Sequence, residues 1–219
     1  MIFYSSLQLV EYKDLLVESK IKEAVYDLEQ VFSEQTYYDK YPGKSRKEVK
    51  KKIYNRIVYP FRFLEKLNLR VVDISSSHLE DIDSLHREWC TVKLDNPNTF
   101  KMMFSSNRYN RCINDAVNQR IPTNPNWFKK AFYLEDRLVA VRLCLLVDRT
   151  SYDIAFFSRF WDSPSNITNY LNTWCLNSLR VDYGILYHNC GAELDKHLKR
   201  FKQHFPSEDR ITYKYNFKK

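Results

Sequence analysis

Three strand-like runs separated by two tight polar turns dominate the middle of this sequence and limit the folds open to it. The runs are Ala131 to Leu134, Leu138 to Val147 and Tyr152 to Phe160, and the turns are Glu135-Asp136-Arg137 and Asp148-Arg149-Thr150. Apolar and β-branched runs bounded by such turns are typical of strands, and connections this short join antiparallel neighbours. The pattern predicts an antiparallel meander at the centre of the fold.

The segments after the meander predict how the sheet continues. Asp162-Ser163-Pro164-Ser165-Asn166 supplies capping residues for a helix through about Arg180. Three further elements are predicted after this helix: a strand from Tyr183 to Asn189, a helix from Ala192 to Phe205 and a last strand from Ile211 to Phe217. The order β-β-β-α-β-α-β predicts an α/β (α+β) fold: a mixed, mostly antiparallel central sheet with one βαβ crossover and helices on both faces.

The first half of the chain, residues 1–125, has a helical and basic pattern. We expect it to complete the sheet of a core formed by residues 126–219, within one compact domain. Ser45-Arg46-Lys47-Glu48 predicts a capping box that opens an amphipathic helix ending at Pro60. A short strand, Leu69 to Ile74, precedes a second predicted box at Ser77-His78-Leu79-Glu80. The helix that follows has an apolar side, which we expect to face inward: Leu79, Ile82, Leu85, His86 and Trp89.

Positive charge is concentrated on the first of these helices. The 219 residues carry 35 Lys and Arg against 27 Asp and Glu, a net charge of +8. Such a local density predicts a polyanion partner, most of all DNA or another nucleic acid, because each phosphate contact releases counterions. A solvated helix face is the simpler interpretation, and an anionic lipid surface is a third, which requires exposed apolar residues beside the basic helix. The expected nucleic-acid-binding residues are Lys44, Arg46, Lys47, Lys50, Lys51 and Arg56.

Other compositional features exclude several function classes. Only three glycines occur, so a dinucleotide fingerprint is excluded, and Gly43-Lys44-Ser45 lacks the earlier glycine of a phosphate loop. The five cysteines form no C-x-x-C pair, so neither a zinc site nor a disulfide framework is expected, and no metal is predicted. No apolar run approaches the length of a bilayer span, and no secretory signal is recognisable. We expect a cytoplasmic protein with reduced thiols.

The predicted element order resembles the core of the GNAT (N-acetyltransferase) superfamily, over roughly residues 129–219. The helix segment Leu85 to Lys93, followed by Phe104 and Arg108-Tyr109, resembles the GNAT-like aminoacyltransferases that modify peptidoglycan and lipids. Asn189-Cys190-Gly191, followed by Leu198-Lys199-Arg200-Phe201-Lys202, is similar to a late motif of that group, where basic residues meet a phosphorylated substrate. The substrate-binding residues implied by the resemblance are Trp89, Lys93, Arg108, Tyr109, Lys199 and Lys202.

The resemblance implies a transferase that moves an acyl or aminoacyl group onto an amine, a hydroxyl or an activated base. Phage DNA-hypermodification enzymes of this fold make DNA one substrate hypothesis, which would place the protein in the host cytoplasm. The alternatives are a non-catalytic nucleic-acid-binding module and an aminoacyltransferase acting on anionic lipid or a cell-wall precursor. A cleft lined by Lys93, Arg108 and Asn189 is expected of the enzyme, and a filled apolar gap of the binding module.

One departure from the superfamily concerns the donor. Acetyltransferases of the superfamily carry a Gln/Arg-x-x-Gly-x-Gly/Ala turn before the helix, where backbone N–H groups hold the cofactor pyrophosphate. Here that turn reads Arg159-Phe160-Trp161-Asp162-Ser163-Pro164-Ser165-Asn166, with no glycine and with an acidic residue. The cofactor is therefore left unidentified, acetyl-CoA is disfavoured and an aminoacyl donor gains weight. Asp162, Ser163, Ser165 and Asn166 are interpreted as helix caps, at a helix N-terminus whose free N–H groups can also hold an anion. Asp162 and Ser163 are the candidate substrate-binding residues among them.

Three residues of the predicted sheet are candidate catalytic groups: Arg142, Tyr187 and Asn189. Arg142 interrupts an apolar strand, so its guanidinium needs a partner. Either it pairs with a carboxylate such as Asp153 or Glu135, or it points into a substrate cleft where the sheet splays. His86 is interpreted as a core histidine rather than a base.

Overall fold

A seven-stranded sheet forms the centre of the molecule, which we describe from a computed structural model. The structure describes residues 16–94, 127–192, 204–205 and 208–217. The sheet order is β2-β3-β4-β5-β6-β1-β7, and every neighbouring pair is antiparallel except β5 with β6. The predicted mixed, mostly antiparallel sheet is confirmed. The strands are β1 (Leu16–Asp27), β2 (Arg70–Asp73), β3 (Trp127–Leu134), β4 (Arg137–Val147), β5 (Thr150–Ser158), β6 (Tyr187–Ala192) and β7 (Glu208–Phe217).

Helices cover both faces of this sheet, as predicted. Helix α5 packs on one face and α6 on the other, and α4 packs against α6. A π-helical turn, Tyr54–Val58, joins α3 directly to α4. The α-helices of the described residues are α1 (Leu28–Phe32), α2 (Glu34–Lys40), α3 (Arg46–Ile53), α4 (Tyr59–Lys66), α5 (Leu79–Leu94) and α6 (Ile167–Val181).

The basic helix begins where the sequence predicts, but the chain stays helical beyond Pro60. The Glu48 N–H donates to Ser45 Oγ at 3.3 Å, and the Ser45 N–H donates to the Glu48 carboxylate at 2.9 Å, which confirms the capping box. The sequence predicts that the helix ends at Pro60, and this is wrong. Pro60 lies in the first turn of α4, where a missing backbone N–H is tolerated.

The second capping box lies two residues earlier than the sequence predicts. The Ser75 N–H donates to His78 Nδ1 at 3.0 Å, so Ser75 is the cap and Ser77 is not. The reason is a 3₁₀ turn, Ser76–His78, that precedes α5. The inward side of α5 is confirmed by Ile82 and Leu85, which are buried.

The meander is confirmed in β3, β4 and β5, and its two turns use left-handed residues. Glu135 has φ 55° and Asp148 has φ 51°, the backbone geometry that tight antiparallel connections require. The crossover helix α6 begins at the end of the predicted capping segment. Its N-cap is Asn166, at φ 64° and with no side-chain capping bond, so Asp162 and Ser163 are not its caps.

The part of the sheet formed by β6, β1 and β7 differs most from the prediction. Strand β6 begins at Tyr187 rather than Tyr183 and includes Ala192, which the sequence assigned to a helix. Residues 193–203 of that predicted helix lie outside the described residues, and its last two residues, His204 and Phe205, form a turn. The terminal strand β7 is confirmed. Strand β1 was not predicted, and it lies between β6 and β7, antiparallel to both.

Two apolar cores hold the layers together. On the α6 face, Phe128, Phe132, Cys144, Leu171 and Leu176 belong to one buried cluster. On the α5 face, a second cluster includes Ile82, Leu85, Val141, Leu143, Ala155 and Phe157. Within the described ranges, no helix is both long and apolar enough to cross a bilayer.

Candidate functional site

The parallel strands β5 and β6 pair over a short distance and then separate. Thr150 pairs with Tyr187, Ser151 with His188 and Tyr152 with Asn189. Beyond these three pairs, β4 is the only described strand that pairs with residues 153–158. Among the described residues, the pairing of β5 with β6 is therefore confined to residues 150–152 of β5.

A β-bulge accompanies the separation. Leu143 of β4 faces Ala155, whereas Cys144 faces Asp153, so Ile154 is an extra residue in β5. Bulges bend a strand and are common beside active sites. The opening between β5 and β6 is therefore built by the local geometry of β5, and we refer to it as the strand opening.

The register separates the three predicted catalytic residues between the two faces of the sheet. Arg142 bonds to His188, and both lie on the α6 face. Tyr187 and Asn189 flank His188 along β6, and alternation turns their side chains to the α5 face. The three residues do not form one cluster, and their catalytic role stays a prediction.

Arg142 is the centre of a buried polar network on the α6 face. Its guanidinium lies 3.2 Å from Asp153 Oδ2, donates to Asn172 Oδ1 at 3.0 Å and contacts His188 Nε2 at 2.8 Å. The side chain is 1% exposed, and it lies 4.4 Å from the centre of the Phe156 ring. Although burial opposes the charge, the Asp153 carboxylate raises the pKa of Arg142 above its usual value. Of the two carboxylates considered from the sequence, Asp153 is the partner.

The hydrogen bonds of this network also define the form of His188. A guanidinium only donates, so Nε2 of His188 must accept from Arg142. Nδ1 therefore carries the proton and donates to Ser151 Oγ at 2.8 Å. His188 is thus neutral, and the network joins β4, β5, β6 and α6 immediately beside the strand opening. We assign it a positioning role, since its members bind one another.

The opposite face of the opening carries an aromatic group from α5. His86 stacks on Trp89, and its ring centre lies 5.6 Å from that of Phe157, which lies in the part of β5 without β6 pairing. His86 Nε2 is 3.5 Å from Cys90 Sγ. Burial lowers the pKa of His86, so its imidazole is neutral at pH 7. Burial raises the pKa of Cys90, so that thiol is not an activated nucleophile.

The turn before α6 does not fit a pyrophosphate group. Arg159, at the first position of the superfamily motif, is 5% exposed and bonds to Glu88 of α5 through both terminal nitrogens. Hydrogen bonds from Arg159 lower the pKa of Glu88, so this pair is ionised. Asp162 stands where the motif has its first glycine, and it lies 2.6 Å from Arg137. Ser163 Oγ is buried with no hydrogen-bond partner among the described residues.

The consequence concerns coenzyme A, the cofactor of the acetyltransferases that the predicted element order resembles. Its pyrophosphate would meet a carboxylate and an arginine that is already paired, and glycine is absent from the turn. We therefore derive no step through coenzyme A.

A cavity of about 460 Å³ lies beside this turn, between α5 and the start of β4. Its lining combines three carboxylates with two arginines. Because both arginines are paired with Glu88 and Asp162, the unpaired charge of the lining is negative. The lining residues are Asp81, Ser84, Glu135, Asp136, Arg137, Leu138 and Arg159.

The remaining predicted site residues fall into two groups. The first group lies outside the described residues: Arg108, Tyr109, Lys199, Lys202 and the side chain of Lys93. The predicted cleft lined by Lys93, Arg108 and Asn189 is therefore not tested. The basic set lies on or next to α3; Arg56 is half-buried, and the others are exposed: Lys44, Arg46, Lys47, Lys50 and Lys51.

Sequence reasoning did not single out four residues that build the site: Ser151, Asn172, Glu88 and Phe157. Their partners are distant along the chain, and Glu88 and Arg159 are 71 residues apart. No local pattern marks such a pair. A charged residue next to the apolar side of a helix, as at Glu88, is the one available signal.

Comparison with known proteins places the fold among solved structures. No protein-family model and no curated protein matches the chain. A conserved protein of unknown function from Bacteroides thetaiotaomicron has 13% identity and a TM-score of 0.60, covering 96% of this chain and 66% of that one. L-PGS from Bacillus licheniformis has 12% identity and a TM-score of 0.54, covering 95% and 64%. A functionally unknown conserved protein from Staphylococcus epidermidis has 8% identity and a TM-score of 0.50, covering 98% and 67%.

These similarities concern the fold alone. The chain spans about two thirds of the length of each of these structures.

Proposed function

We propose that this protein is a GNAT-like transferase that moves an aminoacyl group, or another activated acyl group, onto an amine or hydroxyl. The observation that carries the proposal is the strand opening between β5 and β6, with the neutral His86 on α5 next to Phe157, in the part of β5 that lies beyond the β6 pairing. A likeness of fold to L-PGS supports the proposal at the level of architecture.

The opening offers two chemical functions. In this proposal the acyl carbonyl lies where β5 and β6 separate, and a backbone N–H at the edge of the strand opening donates to the oxygen on which charge develops during acyl transfer. His86 can take the proton of the attacking amine or hydroxyl, because a neutral imidazole accepts a proton at pH 7. The acceptor atom bonds to the acyl carbon, and the donor's ester oxygen leaves with the proton that His86 returns. No covalent enzyme intermediate is required.

An ester-linked aminoacyl donor fits this site better than acetyl-CoA. In the turn before α6, the Asp162 carboxylate would repel a pyrophosphate, and Arg159 is already paired with Glu88. DNA as the acceptor, one of the hypotheses from the sequence, gains no support from the fold or from the compared structures, and it is not part of the proposal.

The test compares donors with the whole protein. Total tRNA charged with a mixture of 14C-labelled amino acids, and 14C-labelled acetyl-CoA, are each incubated with a bacterial extract as the source of acceptors. We expect label from tRNA, and not from acetyl-CoA, in acceptor products. His86→Gln should lower the rate at least about a hundredfold, the usual effect of losing a general base. Cys90→Ala, one turn away on the same helix, should change the rate by less than about threefold.

Each possible result bears on the proposal. Transfer from acetyl-CoA would overturn the donor assignment, and no transfer from either donor would overturn the transferase assignment. A His86→Gln variant with an unchanged thermal midpoint and full activity would remove His86 from the mechanism.

A further inference from the structure

The segment from Lys44 to Lys66 carries nearly all of the excess charge of the chain. It holds nine Lys and Arg against two Glu, an excess of seven where the whole chain has eight. The segment comprises α3, the π-helical turn and α4. Within it, the described ion pairs include only one cation, Lys44, which lies 3.6 Å from Glu48.

The cations and three large exposed side chains lie in one continuous stripe. The Tyr54 N–H donates to the carbonyls of Lys50 and Lys51, so these residues lie one turn before Tyr54 on the same side. The Tyr59 N–H donates to the Tyr54 carbonyl across the π-helical turn, and their ring centres are 6.1 Å apart. We call this the basic-aromatic stripe, and its residues are Lys47, Lys50, Lys51, Tyr54, Val58, Tyr59 and Arg62.

The middle of the stripe is apolar and exposed. Tyr54 is 40% exposed, and Val58 and Tyr59 are each 36% exposed. Exposed apolar residues beside the basic helix are the feature that a lipid surface requires and that the sequence alone left open. Tyrosine suits the boundary between headgroups and acyl chains, since its ring is apolar and its hydroxyl is polar.

The ring faces of the stripe are poorly available to nucleic-acid bases. The Arg62 guanidinium lies 5.8 Å from the centre of the Tyr54 ring. Tyr59 packs edge-on against Tyr170, and its ring centre lies 5.8 Å from that of Phe63. Val58 neither stacks on a base nor bonds to a phosphate. These contacts favour a lipid surface over a single-stranded nucleic acid, which needs open aromatic faces.

The reverse side of the stripe is fixed to the core. Val49 and Ile53 are buried against Tyr37, and Leu64 belongs to the main core cluster. The Thr173 hydroxyl of α6 donates to the Arg56 carbonyl at 3.3 Å. The stripe is therefore presented as a rigid surface and needs little ordering when it binds.

We propose that the basic-aromatic stripe docks this protein onto an anionic bilayer surface. The lysines and Arg62 meet the lipid phosphates, and Tyr54, Val58 and Tyr59 enter the headgroup boundary. The docking does not depend on the transferase proposal, because none of these residues lies at the strand opening.

The test is sedimentation of the purified protein with vesicles at about 0.15 M salt, near physiological ionic strength. Vesicles of phosphatidylcholine alone are compared with vesicles containing about one third phosphatidylglycerol. We expect binding to the anionic vesicles only. The triple variant Lys47→Glu, Lys50→Glu, Lys51→Glu should weaken binding at least about a hundredfold. The control triple Arg70→Glu, Arg87→Glu, Arg149→Glu makes the same charge change at exposed positions elsewhere, and should weaken it less than about tenfold.

A second variant separates a membrane from a nucleic acid. Tyr54→Ser with Val58→Ser leaves the charge intact, and we expect about tenfold weaker vesicle binding with no change in retardation of a short DNA duplex. Absence of sedimentation with anionic vesicles would overturn the proposal, and so would an equal loss in both charge-reversed triples. DNA binding at the same salt that is tighter than vesicle binding would assign the stripe to nucleic acid instead.

Discussion

Arg142 lies beside the candidate site and is bound on all sides by residues of the protein itself. A buried cation in a central strand suggests either a substrate pocket or an internal ion pair. The structure contains the ion pair, with Asp153, Asn172 and His188 around the guanidinium. The network lies where β5 separates from β6, and we expect it to affect function through the shape of the strand opening.

Replacing Arg142 with Met should destabilise the fold strongly. The substitution leaves Asp153, whose side chain is 21% exposed, without its cation. We expect a loss of about 3–5 kcal/mol in the free energy of unfolding, measured with urea. Arg180→Met, which breaks the more exposed pair with Glu29, should cost less than about 1 kcal/mol. Equal losses in the two variants would contradict the role of the network, and Asp153→Leu should restore part of the stability of Arg142→Met.

His204 should make stability depend on pH. Burial lowers the pKa of His204 to about 4, whereas an unfolded histidine titrates near 6.5. Between these values the unfolded state binds a proton that the native state does not, so stability falls as the pH is lowered from about 6.5 towards 4. The loss over this window is about 3 kcal/mol. His204→Gln should abolish this part of the slope in urea titrations at several pH values, and an unchanged slope would contradict the assignment.

At the scale of elements, β1 is the strand that the sequence pattern does not predict. Charged residues recur in it at Glu18, Lys20, Lys22 and Glu23, and this composition does not mark a central strand. It nevertheless pairs on one side with β6 and on the other with β7. Strand β6, which bounds the strand opening, is therefore held by pairing with β1, the first described strand of the chain.

A proline in β1 should disrupt the sheet on both sides. Glu23 pairs with Ala192 and with Arg210, and proline removes a backbone donor and constrains the strand. Glu23→Pro should lower the free energy of unfolding by about 3 kcal/mol or more, seen as a reduced thermal midpoint by circular dichroism. Glu23→Thr, which keeps the N–H and favours a strand, is the control. A Glu23→Pro variant as stable as this control would show that β1 is not an interior strand.

At the scale of the whole molecule, the two proposed functions occupy separate surfaces. The strand opening lies between β5 and β6, with α5 over one face of the sheet and α6 over the other. The basic-aromatic stripe lies on α3 and α4, and α4 packs against α6. Charge is divided accordingly: the cavity beside α5 has an acidic lining, whereas the stripe is cationic. One molecule can therefore bind an anionic surface without occupying its candidate site.

Local patterns in the chain were sufficient for the meander, the capping box at Ser45, the basic helix and the terminal strand. Each depends on residues within a few positions of one another, so the side-chain period and the turn chemistry identify it. The same patterns set the mixed sheet with helices on both faces. They also located the turn before α6 as the place where the chain differs from the acetyltransferases that its element order resembles.

Folding in three dimensions decided what short-range patterns do not encode. Three features depend on contacts between distant segments. Strand β1 lies between β6 and β7, Arg142 and Asn189 lie on opposite faces of the sheet, and Glu88 pairs with Arg159. The bulge at Ile154 sets which face each later residue of β5 occupies, and it is visible only against its partner strand. The chemistry of the opening follows from register and packing, because these bring together side chains that the sequence keeps apart.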